Sequence, residues 1–247
     1  MDEATGSPVE GSPVEADGDA LHTSEARLVL AESLRRLGNA LVGRQPDDDL
    51  LRRITEQVDG FVPQLLAAPP RPHGFHVHDA AAVQPPPDGP GPGRHDMVST
   101  STFQDSVVSG LANPMGVAAR LWRDGDEAVC QVTLGTAFEG APGRAHGGIV
   151  AALIDETMGV VTSISGTPAF TGRLTVTYRA PTPVRQPLEI RARLAGRSGR
   201  KLTITAEVRA EGQLLVEAEA LFIAVDLDHF FEASRGNGRL AGEREGE

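Results

Sequence analysis

The stretch Gly143–Gly159 constrains the fold of this chain more than any other, because it joins a glycine turn to a long apolar segment. The apolar residues cover most of a helical circumference, which is the pattern of a helix enclosed by other structure. Two carboxylates, Asp155 and Glu156, interrupt the apolar run. A buried carboxylate is costly unless hydrogen bonds compensate it. The stretch therefore predicts a core helix that carries a candidate functional acid.

The start of this helix is a second candidate site. His146 precedes Gly147 and Gly148, whose missing side chains would let a ligand approach backbone N–H groups at the positive end of the helix dipole. Such groups can polarise a carbonyl oxygen. Asp155 lies seven residues beyond Gly148, about 10 Å along the helix axis. Both groups therefore reach one carbonyl only if the substrate lies along the helix or a second copy of the chain completes the pocket.

Composition narrows the classes of function. With 247 residues and a net charge of -11, the chain can form one domain with extra segments, and it lacks the basic surface that nonspecific nucleic-acid binding needs. Its one cysteine, Cys130, excludes an internal disulfide and lies in an alternating strand pattern, so we interpret it as a core residue. No apolar run approaches the roughly 18 residues that cross a bilayer, and the acidic first residues lack a signal-peptide charge pattern. We therefore predict a cytoplasmic protein with no transmembrane segment.

The first 96 residues divide into a tail, a helical segment and a linker. Residues 1–19 are small, acidic and proline-punctuated, which predicts a disordered tail. Residues 20–66 carry leucines three and four positions apart, and Asp47–Asp49 favour a helix start within them, so we expect a hairpin of two amphipathic helices. Residues 67–96 are rich in proline and glycine and contain four histidines. A solvated loop is favoured there over a metal site, because the spacing of His73, His76, His78 and His95 is loose.

Residues 97–228 have the composition of an α+β domain, and a polar tail follows at residues 229–247. Alternating apolar and polar runs predict six strands, and the close spacing of the last four is typical of an antiparallel meander. We expect an antiparallel sheet of about six strands wrapped around one central helix. The edges of such a sheet favour pairing with a second copy. The predicted strands cover residues 117–123, 127–134, 171–179, 188–194, 201–209 and 214–225.

Two segments carry a resemblance to a known family. His146–Asp155 has the sequence His-Gly-Gly-Ile-Val-Ala-Ala-Leu-Ile-Asp, and Thr171–Pro181 has the sequence Thr-Gly-Arg-Leu-Thr-Val-Thr-Tyr-Arg-Ala-Pro. Together they resemble the acyl-CoA thioesterases of the phenylacetate-pathway (PaaI) type, and most closely the thioesterase superfamily member 4 branch. The resemblance covers roughly residues 100–227. It implies the hotdog fold and a thioester hydrolase whose pocket forms between two subunits of a homodimer or a dimer of dimers.

The resemblance also implies a role for each residue of the site. Asp155 would activate a water molecule as general base or attack the thioester carbonyl as nucleophile. Gly148, with Gly147, would donate backbone N–H groups to the developing oxyanion, and His146 would orient the substrate carbonyl or the loop. Thr171 from the facing subunit would hold the attacking water. No metal or separate cofactor is implied, because a thioester is an activated acyl donor and coenzyme A enters as part of the substrate.

Coenzyme A would bring phosphates to this acidic protein, and four basic residues are candidates to meet them. Arg200 and Lys201 lie in a basic turn between two predicted strands. Arg179 ends the strand that begins at Thr171, and together with that turn it would form a basic corner suited to phosphate. Arg144, beside the glycine turn, is a third candidate position. An ordinary solvated turn is the alternative interpretation.

Other candidates also have structural interpretations. Asp155 is alternatively a solvent-facing or salt-bridged helix residue, His146 a loop or cap residue, and Thr171 an ordinary strand residue. Glu156 is the rival acid, but it projects about 100° around the helix from Asp155, so the two cannot share one site. For the whole protein, a noncatalytic regulator that binds acyl-CoA or lipid is the alternative. A hotdog dehydratase is disfavoured, because the Asp and His spacing of such hydratases is absent. Acyl chain length, pathway and the role of the helical hairpin stay open.

Overall fold

The computed structural model describes residues 23–70, the backbone of Arg94–Asp96, and residues 104–226. The predicted tails, most of the predicted linker and the side chains of its four histidines lie outside the described residues. The described residues form two N-terminal helices, a long third helix and an antiparallel sheet. The predicted α+β architecture is therefore confirmed.

Two helices, α1 (Glu25–Gly43) and α2 (Asp48–Leu66), precede the main domain. Asp47 Oδ1 accepts the N–H of Leu50 at 2.7 Å, which confirms the helix start predicted from the run of aspartates. Ala31 of α1 is buried, whereas α2 has no buried residue. Apolar side chains of both helices stay exposed within the described part of the chain.

Within the described residues, the main sheet has seven strands in the order β1-β2-β3-β7-β8-β9-β6, and every neighbouring pair is antiparallel. A separate hairpin contains β4 and β5. The prediction of a linker through residue 96 is wrong at its end, because β1 pairs there with β2. The strands are β1 (Arg94–Asp96), β2 (Arg120–Asp124), β3 (Glu127–Thr133), β4 (Glu139–Ala141), β5 (Arg144–Ala145), β6 (Ala169–Tyr178), β7 (Pro187–Ser198), β8 (Lys201–Ala210) and β9 (Gln213–Ala224).

The sheet departs from the predicted meander at β6. This strand pairs with β9 rather than with β7, and β7 pairs with β3 instead. The prediction of four consecutive neighbours is correct for β7, β8 and β9 and wrong for β6. Strand spacing does not decide pairing here, because the link after β6 crosses to the middle of the sheet. Within the described residues β6 is consequently an edge strand, paired on one side only.

Helix α3 (Gly147–Ile164) packs against the sheet on β3, β6, β7 and β8. Eight of its residues are buried, and Leu153, Ile154 and Met158 are at most 1% exposed. Burial of apolar surface on both the helix and the sheet is the main stabilising contribution to this layer. The structure confirms the predicted core helix with a sheet around it.

The expectation about membrane-spanning length needs correction for α3. Among the described helices, α3 has 18 residues and a mean hydropathy of 1.4, enough by length and composition to cross a membrane. Its buried residues, however, contact the sheet of the same domain. That is the position of a core helix.

Candidate active site

Helix α3 and strand β6 bring Asp155 and Thr171 together. Thr171 Oγ1 donates to Asp155 Oδ1 at 2.8 Å. A β-bulge between Thr171 and Arg173 makes this contact possible, because it places Thr171 and Leu174 on one face, both opposite buried residues of β9. Without the extra residue, side chains three positions apart would point to opposite faces. The bulge therefore turns the Thr171 hydroxyl towards the helix.

This contact lies within one chain. Thr171 therefore meets Asp155 of its own subunit, and the predicted origin of Thr171 in the facing subunit is wrong for this pair. The reason is that β6 runs along α3 of the same chain. Asp155 is half-buried, and its second oxygen, Oδ2, has no hydrogen-bond donor within residues 23–70 and 104–226. That oxygen is available to a water molecule or a carbonyl carbon.

His146 caps the start of α3 with its imidazole ring. His146 Nδ1 accepts the N–H of Gly148 at 3.0 Å. An accepting Nδ1 carries no proton, so a neutral ring is protonated on Nε2. The prediction of a free donor on Gly148 is not met in this structure, because that N–H is already bonded. The N–H of Gly147 has no acceptor within the described residues, so it is the available donor at the helix start.

Tyr178 joins the helix start to β6. Its hydroxyl donates to the backbone carbonyl of Gly147 at 2.7 Å, and burial raises the pKa of this phenol. A Cβ at residue 147 would lie 3.2 Å from the hydroxyl, so glycine suits the close approach. Sequence reasoning assigned no role to Tyr178. Its position on the strand after α3, as the only tyrosine of the chain, was the available signal.

The segment before α3 is fixed by the backbone on two sides. The N–H of Ala145 donates to the carbonyl of Thr182 at 2.8 Å, and the N–H of His146 donates to the carbonyl of Phe138 at 2.8 Å. A Cβ on Gly140 would lie 2.8 Å from the Cα of His146, so a side chain there would displace the loop. The donors at the helix start are consequently held in place before a ligand binds.

Glu156 serves a different part of the structure from Asp155. Ser106 Oγ donates to the Glu156 carboxylate at 2.7 Å, and Ser109 Oγ donates to the same carboxylate. Ser106 Oγ also accepts the N–H of Val108 at 3.1 Å. These bonds fasten the segment before β2 to α3. Sequence reasoning missed both serines, because they lie 50 and 47 residues from Glu156.

Cys130 is completely buried in β3, which confirms the interpretation as a core residue. Burial raises the pKa of the Cys130 thiol to about 12, against an opposing effect of the hydrogen bond with Thr157. The contribution of the thiol to the free energy of unfolding is full below pH 9.0, the ordinary pKa, and is lost as pH rises through about 12. We expect Cys130→Ala to flatten the fall of unfolding free energy with alkaline pH. Urea titrations of both proteins at several pH values measure this slope, and parallel slopes would contradict the expectation.

Two of the predicted phosphate ligands lie at opposite ends of β6. Lys201 begins β8 opposite the end of β9 that pairs with the start of β6. Arg179 follows the other end of β6 and donates from Nε to Glu217 Oε2 at 2.6 Å. A strand of 10 residues separates them, about 33 Å. The prediction of one basic corner shared by Arg179 and the β7–β8 turn is therefore wrong within a single chain.

The other predicted phosphate ligands stay near their expected elements. Arg200 is exposed next to Lys201 and donates from Nε to the carbonyl of Ala224 at 3.0 Å. Arg144 is exposed in β5, two residues before His146. Within the described residues, no group of three or more His, Cys, Asp or Glu side chains is placed to hold a metal ion.

The structure therefore divides the predicted site residues into two groups. One contains Asp155 in the middle of α3 with Thr171 of β6 bonded to it, and the other contains His146, Gly147 and Gly148 at the start of α3. About 10 Å of helix separates the groups along the axis. An acidic group and backbone donors at this separation suit acyl transfer only where a second element brings donors closer to Asp155.

Residues 142–217, which contain both groups, match the family model of the thioesterase superfamily. This part of the chain is similar to the thioesterase superfamily. A crystal structure of another thioesterase superfamily protein is similar to this chain with a TM-score of 0.66 and 25% sequence identity. The aligned region covers 81% of this chain and 92% of the chain in that crystal structure. The thioesterase-superfamily fold therefore extends beyond the matched residues, and the predicted hotdog fold is confirmed.

Curated relatives of the thioesterase-superfamily domain carry the name acyl-coenzyme A thioesterase THEM4. The relative from Mus musculus is 37% identical over 94 residues, which is 37% of this chain and 40% of the relative. The relative from Bos taurus is 32% identical over 121 residues, 47% of this chain and 50% of the relative. The match thus spans half or less of the length of each relative. The resemblance to the thioesterase superfamily member 4 branch is confirmed.

Proposed function

We propose that the thioesterase-superfamily domain hydrolyses acyl-coenzyme A to a free acid and coenzyme A. The observation that carries this proposal is the hydrogen bond from Thr171 Oγ1 to Asp155 Oδ1 at 2.8 Å. It fixes one carboxylate oxygen and leaves Oδ2 for chemistry. The names of the relatives from Mus musculus and Bos taurus support the substrate class.

Two routes use Asp155 Oδ2. In the general-base route, Oδ2 takes a proton from water, the water oxygen bonds to the thioester carbon, and the C–S bond breaks as the thiolate of coenzyme A leaves. The proton on Asp155 then passes to the thiolate. In the nucleophilic route, Oδ2 bonds to the thioester carbon and expels the thiolate, and water hydrolyses the resulting anhydride. A metal is not needed in either route, because the thiolate is a good leaving group.

The oxyanion that develops in either route needs hydrogen-bond donors from a helix start. The N–H of Gly147 supplies one, and the N–H of Gly148 supplies another once the His146 ring turns away. Because these donors lie about 10 Å from Asp155 along one helix, we propose that the helix start of a second copy faces Asp155. The site is then completed between subunits by α3 rather than by Thr171.

Strand β6 is the proposed surface for that second copy. It has 10 residues, lies at the end of the sheet in the described residues and exposes most of its side chains. The outer side of a long edge strand favours pairing with another strand, because it presents a row of backbone N–H and C=O groups. We propose a homodimer built on this edge, or a dimer of such dimers.

Coenzyme A would extend towards the end of the sheet where β6 begins. Arg200 and Lys201 are exposed there, and we propose them as the phosphate contacts. Arg144 at the helix start of the facing subunit is a further candidate. Arg179 could contribute only by leaving Glu217. No cofactor beyond the coenzyme A of the substrate is proposed.

Release of free thiol from a panel of acyl-CoA esters tests this function. The panel should contain short, long and aromatic acyl groups, and calorimetry should measure binding of the same esters. Turnover of at least one ester is the expected result. Tight binding of an acyl-CoA without thiol release would instead support the noncatalytic regulator. If no ester of the panel is bound or hydrolysed, that result contradicts both assignments.

Thr171→Val should lower kcat/KM for the best acyl-CoA by about tenfold. The change keeps the shape of the side chain and removes the donor to Asp155, and loss of one hydrogen bond to a charged group corresponds to about 1.5 kcal/mol. Thr175→Val is the matched control, since Thr175 is exposed on the same strand and opposite Glu219. Steady-state kinetics of both variants measure the difference. Equal activity of the two variants would count against a role for the Thr171 hydroxyl.

A further inference from the structure

Helix α1 is hydrogen-bonded to the segment that leads to the start of α3. Asn39 Oδ1 accepts the N–H of Ala137 at 3.2 Å, and Asn39 Nδ2 is held by the carbonyl of Arg35 at 3.0 Å. A Cβ on Gly135 would overlap Asn39 Oδ1, so the segment has been brought as close to α1 as its backbone allows. The next residue after Ala137 is Phe138, whose carbonyl accepts the N–H of His146 at 2.8 Å. Two residues, Ala137 and Phe138, therefore link Asn39 of α1 to His146, the cap of α3.

A second set of hydrogen bonds connects α1 with the segment before β2. One terminal nitrogen of Arg35, Nη1, donates to the carbonyls of Leu111 and Asn113 at 2.9 and 2.7 Å. Those carbonyls belong to the segment that Ser106 and Ser109 fasten to Glu156. α1 thus contacts both segments that flank the helix, one bonded to His146 and the other to Glu156.

A cavity of about 420 Å³ lies between α1 and the main domain, next to Arg35 and Asn39. Its walls include Glu32 and Arg36 of α1 and Val117, Thr133 and Phe138 of the domain. α1 is therefore held largely by directed hydrogen bonds rather than by continuous apolar packing. Each such hydrogen bond contributes only about 1 kcal/mol net to the free energy of unfolding. Its main effect is to fix the position of the two groups that it joins.

We propose that Asn39 is a positioning residue for the thioesterase site, acting through Ala137 and Phe138 on His146. The inference rests on the proposed function and assigns the N-terminal helix a role in the same site. His146 sets the orientation of the first backbone donors of α3, and a shift of about 1 Å in such donors can cost 10²-fold in rate. Loosening the bond at Ala137 consequently lowers kcat, while the affinity for the acyl-CoA changes little.

Asn39→Ala in the full chain tests the inference, with Ser33→Ala as control on an exposed position of the same helix. Two quantities are measured: amide hydrogen exchange at His146 and along α3, and kcat and KM for acyl-CoA hydrolysis. We expect Asn39→Ala to speed exchange at the His146 amide about tenfold. We also expect a fall of about tenfold in kcat with KM within about twofold. Ser33→Ala should match the wild type in both measurements. Asn39→Asp keeps an acceptor for Ala137 but loses the donor to the Arg35 carbonyl, so it should recover only part of kcat and of the protection at the His146 amide.

The outcomes separate this inference from the proposed function. Unchanged exchange at His146 in Asn39→Ala overturns the inference whatever the activity. Exchange that rises equally along all of α3 shows general destabilisation and also overturns it, as does faster exchange at His146 with unchanged kcat. A wild-type chain that hydrolyses no acyl-CoA defeats the proposed function alone, and the exchange measurement still decides whether α1 positions His146.

Discussion

Asp155→Asn lowers kcat/KM for acyl-CoA hydrolysis by about 10² or more. The amide has nearly the same shape as the carboxylate and its Oδ1 still accepts the Thr171 hydroxyl, so the local structure is kept. An amide cannot take a proton from water and is a very poor nucleophile, so both proposed routes lose their reacting group. Steady-state thiol release with the best ester measures the loss.

Glu219→Gln is the matched control for this carboxylate-to-amide change. Glu219 is exposed on β9, on the face of the sheet opposite to that of its buried neighbours Ala218 and Ala220. Its activity should stay within about twofold, since exposed charges contribute little. A loss of less than tenfold in Asp155→Asn, with intact thermal unfolding, would remove Asp155 from the catalytic role.

Glu156→Ala lowers the free energy of unfolding by about 2–3 kcal/mol. The carboxylate accepts hydrogen bonds from Ser106 and Ser109, and Ser109 is only 4% exposed. Removing the acceptor leaves a buried hydroxyl without its partner, and such a group costs about 1–3 kcal/mol. The segment before β2 then loses its attachment to α3. Urea unfolding measures the change, and thermal unfolding should shift by about 2–4 °C for each kcal/mol.

A double-mutant cycle sharpens the test of Glu156. Ser109→Ala alone should destabilise less than Glu156→Ala, and the double variant should be more stable than the sum of the two losses predicts. Glu219→Ala is again the exposed control, expected within about 0.5 kcal/mol of the wild type. A loss below about 1 kcal/mol for Glu156→Ala, or strict additivity with Ser109→Ala, would show that the two side chains do not act together.

The two neighbouring acids of α3 thus have different expected phenotypes. Asp155→Asn should reduce activity at unchanged stability, and Glu156→Ala should reduce stability first. Helical geometry predicts the separation, because adjacent residues project about 100° apart. The hydrogen-bond partners distinguish the two acids. Asp155 is bonded to Thr171, whereas Glu156 is bonded to two serines.

Local patterns were sufficient for several elements of this fold. The apolar run after the glycine pair predicted α3, the aspartates before residue 50 predicted the start of α2, and alternation predicted most strands to within a few residues. These features depend on residues close together in the chain, so periodicity and capping encode them. The position of Cys130 in the core followed from the same alternation.

Contacts between distant segments were not predictable in this way. The pairing of β6 with β9, the contact of Thr171 with Asp155 and the serines that bind Glu156 join residues far apart in the sequence. The hydrogen bond between Asn39 and Ala137 likewise joins residues 98 positions apart. No local pattern distinguishes one long-range partner from another, because many strands and loops offer equivalent hydrogen-bonding groups.

Local patterns were enough to predict the residue types of the site and the secondary-structure elements that carry them, since apolar periodicity and glycine placement act over short stretches of chain. Long-range packing places Thr171 against Asp155 of its own chain and Arg179 a strand length from Lys201. Both depend on which edge of the sheet β6 occupies. That choice is made by packing of the whole domain around α3, where burial is shared among all elements at once.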